Sequence, residues 1–490
     1  MVGEGSLSAK DNTLRAELPD TSRVLRLLNP QDAVTHANAV YQPLNGPIAW
    51  SSKIDIDFDA VEAMMLKQER LYKNQKAEYG DMAEIWDVIQ NAMNWLVVYD
   101  PEKDRAVTPV ARPWAYGWGG REPGGYILFC WDNFFASYMH AIESKELAYN
   151  EAVQMCREIK KLGFVPNFAA PGGLKSRDRS QPPVGSLMVM GVYNRYGEDW
   201  FLETVFDDLL TWNRWWSENR DHDGYLCWGS NPFDPVAGDK REGVQNEFKA
   251  ASNESGLDNT PMYDEVPFDT TEHLLEMADV GLMGLYIADC KVLAHMADIL
   301  ERPKAKQELT ERAGRYENKL KTLWDDEFGM FLNKRTDTGE LSRRISPTNL
   351  YPLIAGAATR EQAERMVQEH FYNPDEFWGE WILPSIARND TGYTGRDYWR
   401  GSIWAPMNFL VYLGFQNYDL PQARADLAEK SKALLLKQWR EERNVRENYH
   451  AETGGDPGAR SNPFYHWGAL LGMINLIEHG QVGSPMQVFD

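Results

Sequence analysis

Residues 282–331 read LMGLYIADCKVLAHMADILERPKAKQELTERAGRYENKLKTLWDDEFGMF. Leu282, Leu285, Tyr286, Leu293, Met296 and Leu300 recur at three- and four-residue steps, which places them on one face of a helix. Leu309, Ala313, Tyr316, Leu320 and Leu323 repeat the pattern on a second helix. A turn follows in which Trp324 and three acids precede Phe328-Gly329-Met330-Phe331. Similar chemistry follows Trp215-Trp216 as Asp221-His222-Asp223-Gly224-Tyr225. In such turns Asp accepts local backbone bonds and Gly takes positive φ. Helix pairs recurring tens of residues apart predict helices stacked in a ring, and a chain that must close predicts an all-α, α/α toroid. The DxDG turn shares its first residues with a calcium loop but lacks the further oxygen ligands and the distal Glu. A structural turn is expected there.

Outward from this stretch, helical periodicity extends back to Asp55, and strand-like alternation is rare and short. Residues 1–50 are polar, Pro-containing and weakly periodic, so they are expected to form an N-terminal arm or cap. Residues 51–490 are expected to form one large helical domain.

The net charge of −22 excludes duplex nucleic acid as a default partner, because that needs a cationic face to displace counterions. It disfavours an anionic membrane surface for the same reason. No apolar stretch long enough to span a bilayer is expected, and the N-terminus has no secretory h-region. Cys130, Cys156, Cys227 and Cys290 are far apart, which predicts buried free thiols in a reducing, cytoplasmic setting. The charge speaks to solubility, and a homo-oligomer is compatible with it.

Aromatic residues make up 12% of the chain, more than an average core requires. Many sit in loops rich in Gly, Pro, Asn and charge. These are residues 114–121, Pro123-Gly-Gly before Trp131-Asp132, Arg179-Ser-Gln181-Pro-Pro183, and Asn253 to Asn259. Phe377 to Trp381 and Tyr398-Trp399-Arg400-Gly401 with Trp404 complete the set. Long ordered loops are usually functional. Aromatic faces interleaved with carboxylates and amides suit a sugar, whose C–H faces stack on Trp while Asp, Gln and Arg bond its hydroxyls.

Walker, GxGxxG, HExxH and GxSxG motifs are absent, and no His pair has metal-ligand spacing. No metal or other cofactor is therefore expected, and the chemistry falls to carboxylates. Glycoside hydrolysis by the usual route needs a protonated acid and an ionised base or nucleophile. Asp258, in the Gly- and Pro-bounded loop 254–261, is the acid candidate, since partial burial would raise its pKa. Its other reading is a turn or N-cap residue. Glu447, in Arg446-Glu447-Asn448-Tyr449, is the base candidate, with a solvated helix-end glutamate as the alternative. Glu254 is the fallback acid and Glu452 the fallback base.

Six motifs occur in a recognisable order between about residues 120 and 470: Pro123-Gly-Gly with Trp131-Asp132, Arg179-Ser-Gln-Pro-Pro183, Glu254-Ser-Gly-Leu-Asp258, Trp378-Gly-Glu-Trp381, Tyr398-Trp-Arg-Gly401, and Glu447-Asn-Tyr449. The set resembles the inverting α-glycosidases of glycoside hydrolase family 63, the mannosylglycerate and glucosylglycerate hydrolases above all, and more distantly the family 37 trehalases. That resemblance implies an (α/α)6 toroid with its site at the loop-bearing end. It implies Asp258 as general acid, Glu447 as general base, and inversion at the anomeric carbon. It also implies sugar contacts from Trp131, Asp132, Arg179, Gln181, Trp399 and their motif neighbours Tyr398, Arg400 and Trp381. Arg400 stands where trehalases carry an acid, which counts against trehalose as substrate. A glycerate aglycone would need a cation near the site, and Lys175, Arg177, Arg396 and Arg460 are the candidates, with Arg177 foremost. The expected substrate is a small α-glucoside or α-mannoside of the glycerate type. The alternatives are an exo-α-glucosidase on gluco-oligosaccharides or disaccharides, a sugar epimerase or lyase using His450 or His466, and a non-catalytic sugar-binding protein.

Overall fold

The computed structural model describes residues 6–488 except 20, 54, 102, 113–124, 160–162, 233–246 and 459. The aromatic loop 114–121 and residues 123–124 of its motif lie outside the described residues.

The chain divides into two compact units, Met1–Ala83 and Glu84–Asp490, later than the boundary expected near residue 50. The first unit is built on strands rather than a simple arm. Ser6–Lys10, Thr13–Leu18, Thr21–Leu28 and Ala49–Ser51 form an antiparallel sheet in that order. The first hairpin turns on Asp11 and Asn12, whose φ values of 48° and 61° give the two-residue left-handed turn that suits strand twist. Most side chains of Ser6–Lys10 and Thr21–Leu28 are exposed or half-exposed. Ser6–Lys10 and Thr13–Leu18 do alternate polar and apolar residues, but over only five and six residues with small Ala among the apolar positions, too short a signal to stand out beside the helical periodicity. Helix Phe58–Glu78 follows, opened by Asp57, whose carboxylate accepts the Ala60 amide.

The second unit is an α/α toroid. Its inner segments are helices Cys130–His140, Gly185–Tyr196 and Val280–Ile299, the 3-10 helix Pro347–Leu353, and helices Ala405–Gln416 and Leu470–Glu478. Each packs against the next, and the last returns to the first. Outer helices Lys145–Arg157, Asp199–Asn219, Pro303–Lys321, Arg360–Arg365 and Pro421–Glu442 alternate with them along the chain. Ala83–Asn94 completes the outer set, with Ile85 and Ile89 against Gly472.

Burial separates the two layers. Every residue of Cys130–His140 is buried, whereas Pro303–Lys321 buries only Leu309, Arg312, Ala313, Tyr316 and Leu320. That one-sided stripe is what the 3.6-residue period encodes. Val280–Ile299 does meet the length and composition of a membrane span, contrary to the sequence expectation, and 89% of its most apolar window is buried inside the protein. It is an inner helix, apolar because it is covered on all sides.

The DxDG stretch is a structural turn. Asp221-His222 pairs with Tyr225-Leu226, Asp223 and Gly224 take positive φ, and Asp221 accepts the Gly224 amide and the Tyr316 hydroxyl. All four cysteines are buried free thiols.

Candidate active site

Several inner segments begin at one cavity of about 190 Å³. Trp131 and Asp132 lie in the first turn of Cys130–His140, and Gln181 precedes Gly185–Tyr196. Tyr398 and Trp399 precede Ala405–Gln416, and Tyr465 and Trp467 precede Leu470–Glu478. The volume falls below the roughly 300 Å³ at which drug-sized pockets begin, so it suits one small ring.

Its wall is aromatic. Trp399 stacks on Trp404 with ring centroids 3.6 Å apart and planes at 6°. Trp131 lies 6.2 Å from Trp399 and meets Trp467 edge-on at 5.6 Å. Gly256, at φ +73°, lets the loop that carries Asp258 approach Trp131, because a Cβ there would stand 2.7 Å from the indole.

Asp258 lines the cavity from that loop. Lys249 Nζ donates to its backbone carbonyl at 2.9 Å. Asn259 stitches the loop to the opposite wall, accepting the Trp399 amide at 2.9 Å and donating to the Asp397 carbonyl at 3.3 Å. Desolvation raises the Asp258 pKa against the pull of Lys249 and Arg112, and the Glu447 charge adds to the rise. A carboxyl held toward its protonated form can act as a general acid.

Glu447 is wholly buried, behind the cavity-lining residues Arg112 and Tyr398. Its Oε1 accepts from Arg112 Nη2 at 2.7 Å and from the Tyr398 hydroxyl at 2.9 Å. Oε2 accepts from the Asn462 amide at 3.2 Å and Nδ2 at 2.7 Å. Arg112 and Tyr398 line the cavity while Asn462 does not, so Oε1 is the oxygen held by cavity-lining residues. Tyr398 reaches it from a backbone at φ 59°, a conformation uncommon for a bulky residue and concentrated at functional sites.

Asp132 accepts the Tyr465 hydroxyl at 2.7 Å. Burial raises its carboxyl to a pKa of about 7, with the Tyr465 bond and Arg112 opposing and the Glu447 charge reinforcing. Gln181 Oε1 accepts the Trp131 amide at 3.3 Å, and Arg179 is braced by Asp178 at 2.6 Å.

The structure thus brings Trp131, Asp132, Arg179, Gln181, Asp258, Tyr398 and Trp399 to one cavity, with Glu447 behind two of its lining residues. It does not bring Arg400, Trp381 or Arg177 to the lining. The chain reverses at Tyr398–Gly401, where the Arg400 amide bonds the Asp397 carbonyl and Gly401 sits at φ 116°. That reversal sends the Arg400 guanidinium to Asp264. The Trp381 ring covers Gly454 instead. Lys175 is engaged by Glu158 and Arg460 by Asp397, Arg396 is exposed, and none of these cations lines the cavity.

The fallback carboxylates are placed elsewhere. Glu254 is fully buried in a two-pronged pair with Arg220, at 2.6 and 2.8 Å, and also accepts the Ser180 and Gly229 amides. Glu452 is exposed and accepts the Tyr393 hydroxyl. His450 and His466 do not line the cavity, and His466 is buried in the core.

Arg112, Phe129, Asn167, Tyr465 and Trp467 join the lining without having been singled out in the sequence. The aromatic run Phe464-Tyr465-His466-Trp467 after the Glu447 loop was an available signal. Arg112 carried none.

Residues 126–467 match the family model described as the mannosylglycerate hydrolase MGH1-like glycoside hydrolase domain, and the chain belongs to that family. Among relatives, the mannosylglycerate hydrolase of Thermus thermophilus is 28% identical over 202 residues, covering 41% of this chain. The match spans 45% of that relative's length. Among solved structures, a GH63 mannosylglycerate hydrolase of Thermus thermophilus in complex with glucose superposes with a TM-score of 0.62 at 19% identity, covering 80% of this chain and 99% of that one. The neutral trehalase Nth1 of Saccharomyces cerevisiae gives 0.58 at 19% identity, covering 80% and 79%. At such identities the likeness speaks to the fold.

Proposed function

We propose that this site is that of an inverting α-glycosidase acting on a small α-glucoside or α-mannoside, with a glycerate glycoside as the foremost candidate. The carrying observation is the pairing of two differently held carboxyls at one Trp-walled cavity. Asp258 is pushed toward its protonated form, and Glu447 is clasped by a guanidinium and three further donors. Asp258 protonates the leaving oxygen as the glycosidic bond breaks. Glu447 Oε1 takes a proton from the water that attacks the anomeric carbon from the opposite face.

The aromatic wall supports a pyranose ring, and Asp132, Gln181 and Arg179 supply polar contacts for its hydroxyls. For a glycerate carboxylate, Arg179 lines the cavity, in place of the four cations expected from the sequence. The buried thiols fit a reducing, cytoplasmic setting.

Incubation with α-glucosyl- and α-mannosylglycerate and with α-linked glucose disaccharides tests the reading. Release of free sugar from one of them supports it, and no release from any of them overturns it.

A further inference from the structure

The acid and base leave one feature of the cavity unused, a guanidinium set against the base. Arg112 lies between the rings of Phe129 and Tyr465, 5.3 and 5.4 Å from their centroids. Its Nη2 stands 2.7 Å from Glu447 Oε1, 3.1 Å from the Tyr398 hydroxyl and 3.5 Å from the Tyr465 hydroxyl. Tyr465 in turn donates to Asp132 at 2.7 Å. Two buried carboxyl groups from opposite ends of the second unit thus meet at one cation, one directly and one through a tyrosine.

We propose that Arg112 is the positioning residue of the base, fixing Glu447 with Oε1 toward the cavity and joining it to Asp132 through Tyr465. This inference rests on the hydrolase reading of the site. A carboxylate buried against aromatic rings is costly to keep charged without a partner, and a second acid nearby pushes a proton onto one of the two. The groups facing this network are Glu447, Asp132, Tyr398 and Tyr465, with Asp258 in its field. Asp258 is also acted on by Lys249 and Arg179. Among the described residues, Arg112 is the cation that bonds the base directly. Its Nη2 alone reaches Glu447 and both tyrosine hydroxyls, a set of contacts that the ammonium of a lysine can take over in part.

The test compares wild type, Arg112→Lys and Arg112→Gln on the substrate that wild type cleaves. The readouts are kcat and KM across pH, folding by circular dichroism, and glucose binding by tryptophan fluorescence. Arg112→Gln is expected to fold, to bind glucose within threefold of wild type, and to lose roughly 100-fold in kcat with KM little changed. Its activity should begin to rise at higher pH than in wild type. Arg112→Lys should recover at least tenfold of the loss and keep the wild-type profile. Wild-type kcat in Arg112→Gln overturns the proposal, as does a loss wholly in KM or a lysine variant no better than glutamine. If Arg112→Gln does not fold, Arg112→Lys decides alone. A folded lysine variant with an unshifted profile and at least a tenth of wild-type kcat supports the role, and one without turnover overturns it. A wild type inert on every glycoside overturns the hydrolase reading itself, and this inference with it.

Discussion

Arg112 and Glu447 are separated by 335 residues and meet at 2.7 Å across the cavity wall. The contact closes the toroid chemically, because it ties a segment preceding the first inner helix to the loop preceding the last. Asp258 enters from a third place, the loop after Glu247–Glu254. Asn259 holds that loop to Trp399.

Removing either carboxyl should remove most turnover. Asp258→Asn and Glu447→Gln are each expected to lower kcat by about 10²–10⁴, the range for one positioned acid or base. Steady-state sugar release checks this, and retained activity in either variant breaks that assignment.

Glu254 should behave as a structural residue. Glu254→Gln leaves Arg220 buried beside a neutral partner, and breaking such a pair costs about 3–5 kcal/mol. Urea unfolding should show the loss, while the folded fraction keeps a kcat within about threefold of wild type. A stable variant without turnover would make Glu254 the acid instead.

Gly256 should resist substitution. Gly256→Ala combines positive φ with a Cβ 2.7 Å from the Trp131 ring. A loss of about 1 kcal/mol or more is expected, with a rise in KM as Trp131 shifts. An alanine variant with wild-type KM and unfolding midpoint would show that the acid loop does not need this approach.

Asp132 should write itself into the pH dependence of stability. Its folded pKa of about 7 lies above the ordinary aspartate value near 4. Unfolding therefore releases a proton between about pH 4 and 7, so this group's contribution falls as pH rises through that window and is flat above it. His140 and His466, held down to about 4 and 3, act with the opposite sign over part of the same range. The informative quantity is thus a difference. The stability of Asp132→Asn relative to wild type should rise by a few kcal/mol, in order of magnitude, between pH 4 and pH 8. A difference independent of pH would contradict the raised pKa.

The legible parts of this molecule were local. Helix faces such as Leu309 to Leu320 show in the spacing because an outer helix buries one stripe. Trp131, Asp132, Gln181, Asp258 and Tyr398 could be picked out because each sits in a compact motif whose side chains point to one place. Arg112 could not, since its meaning comes from Glu447 and two tyrosines far along the chain. Motif membership also overreached. Arg400 adjoins Trp399, yet the reversal at Gly401 turns it to Asp264. The N-terminal sheet escaped because the alternation of Leu7, Ala9, Leu14, Ala16 and Leu18 with polar residues runs over short strands, although Asp11-Asn12 was a turn signal.

The most direct test of the central claim follows the newborn anomer by NMR as wild type cleaves an α-glucosyl or α-mannosyl glycoside. Water activated by Glu447 opposite the leaving group protonated by Asp258 must deliver the β-anomer first, with mutarotation following. Initial release of the α-anomer would contradict the assignment of acid and base.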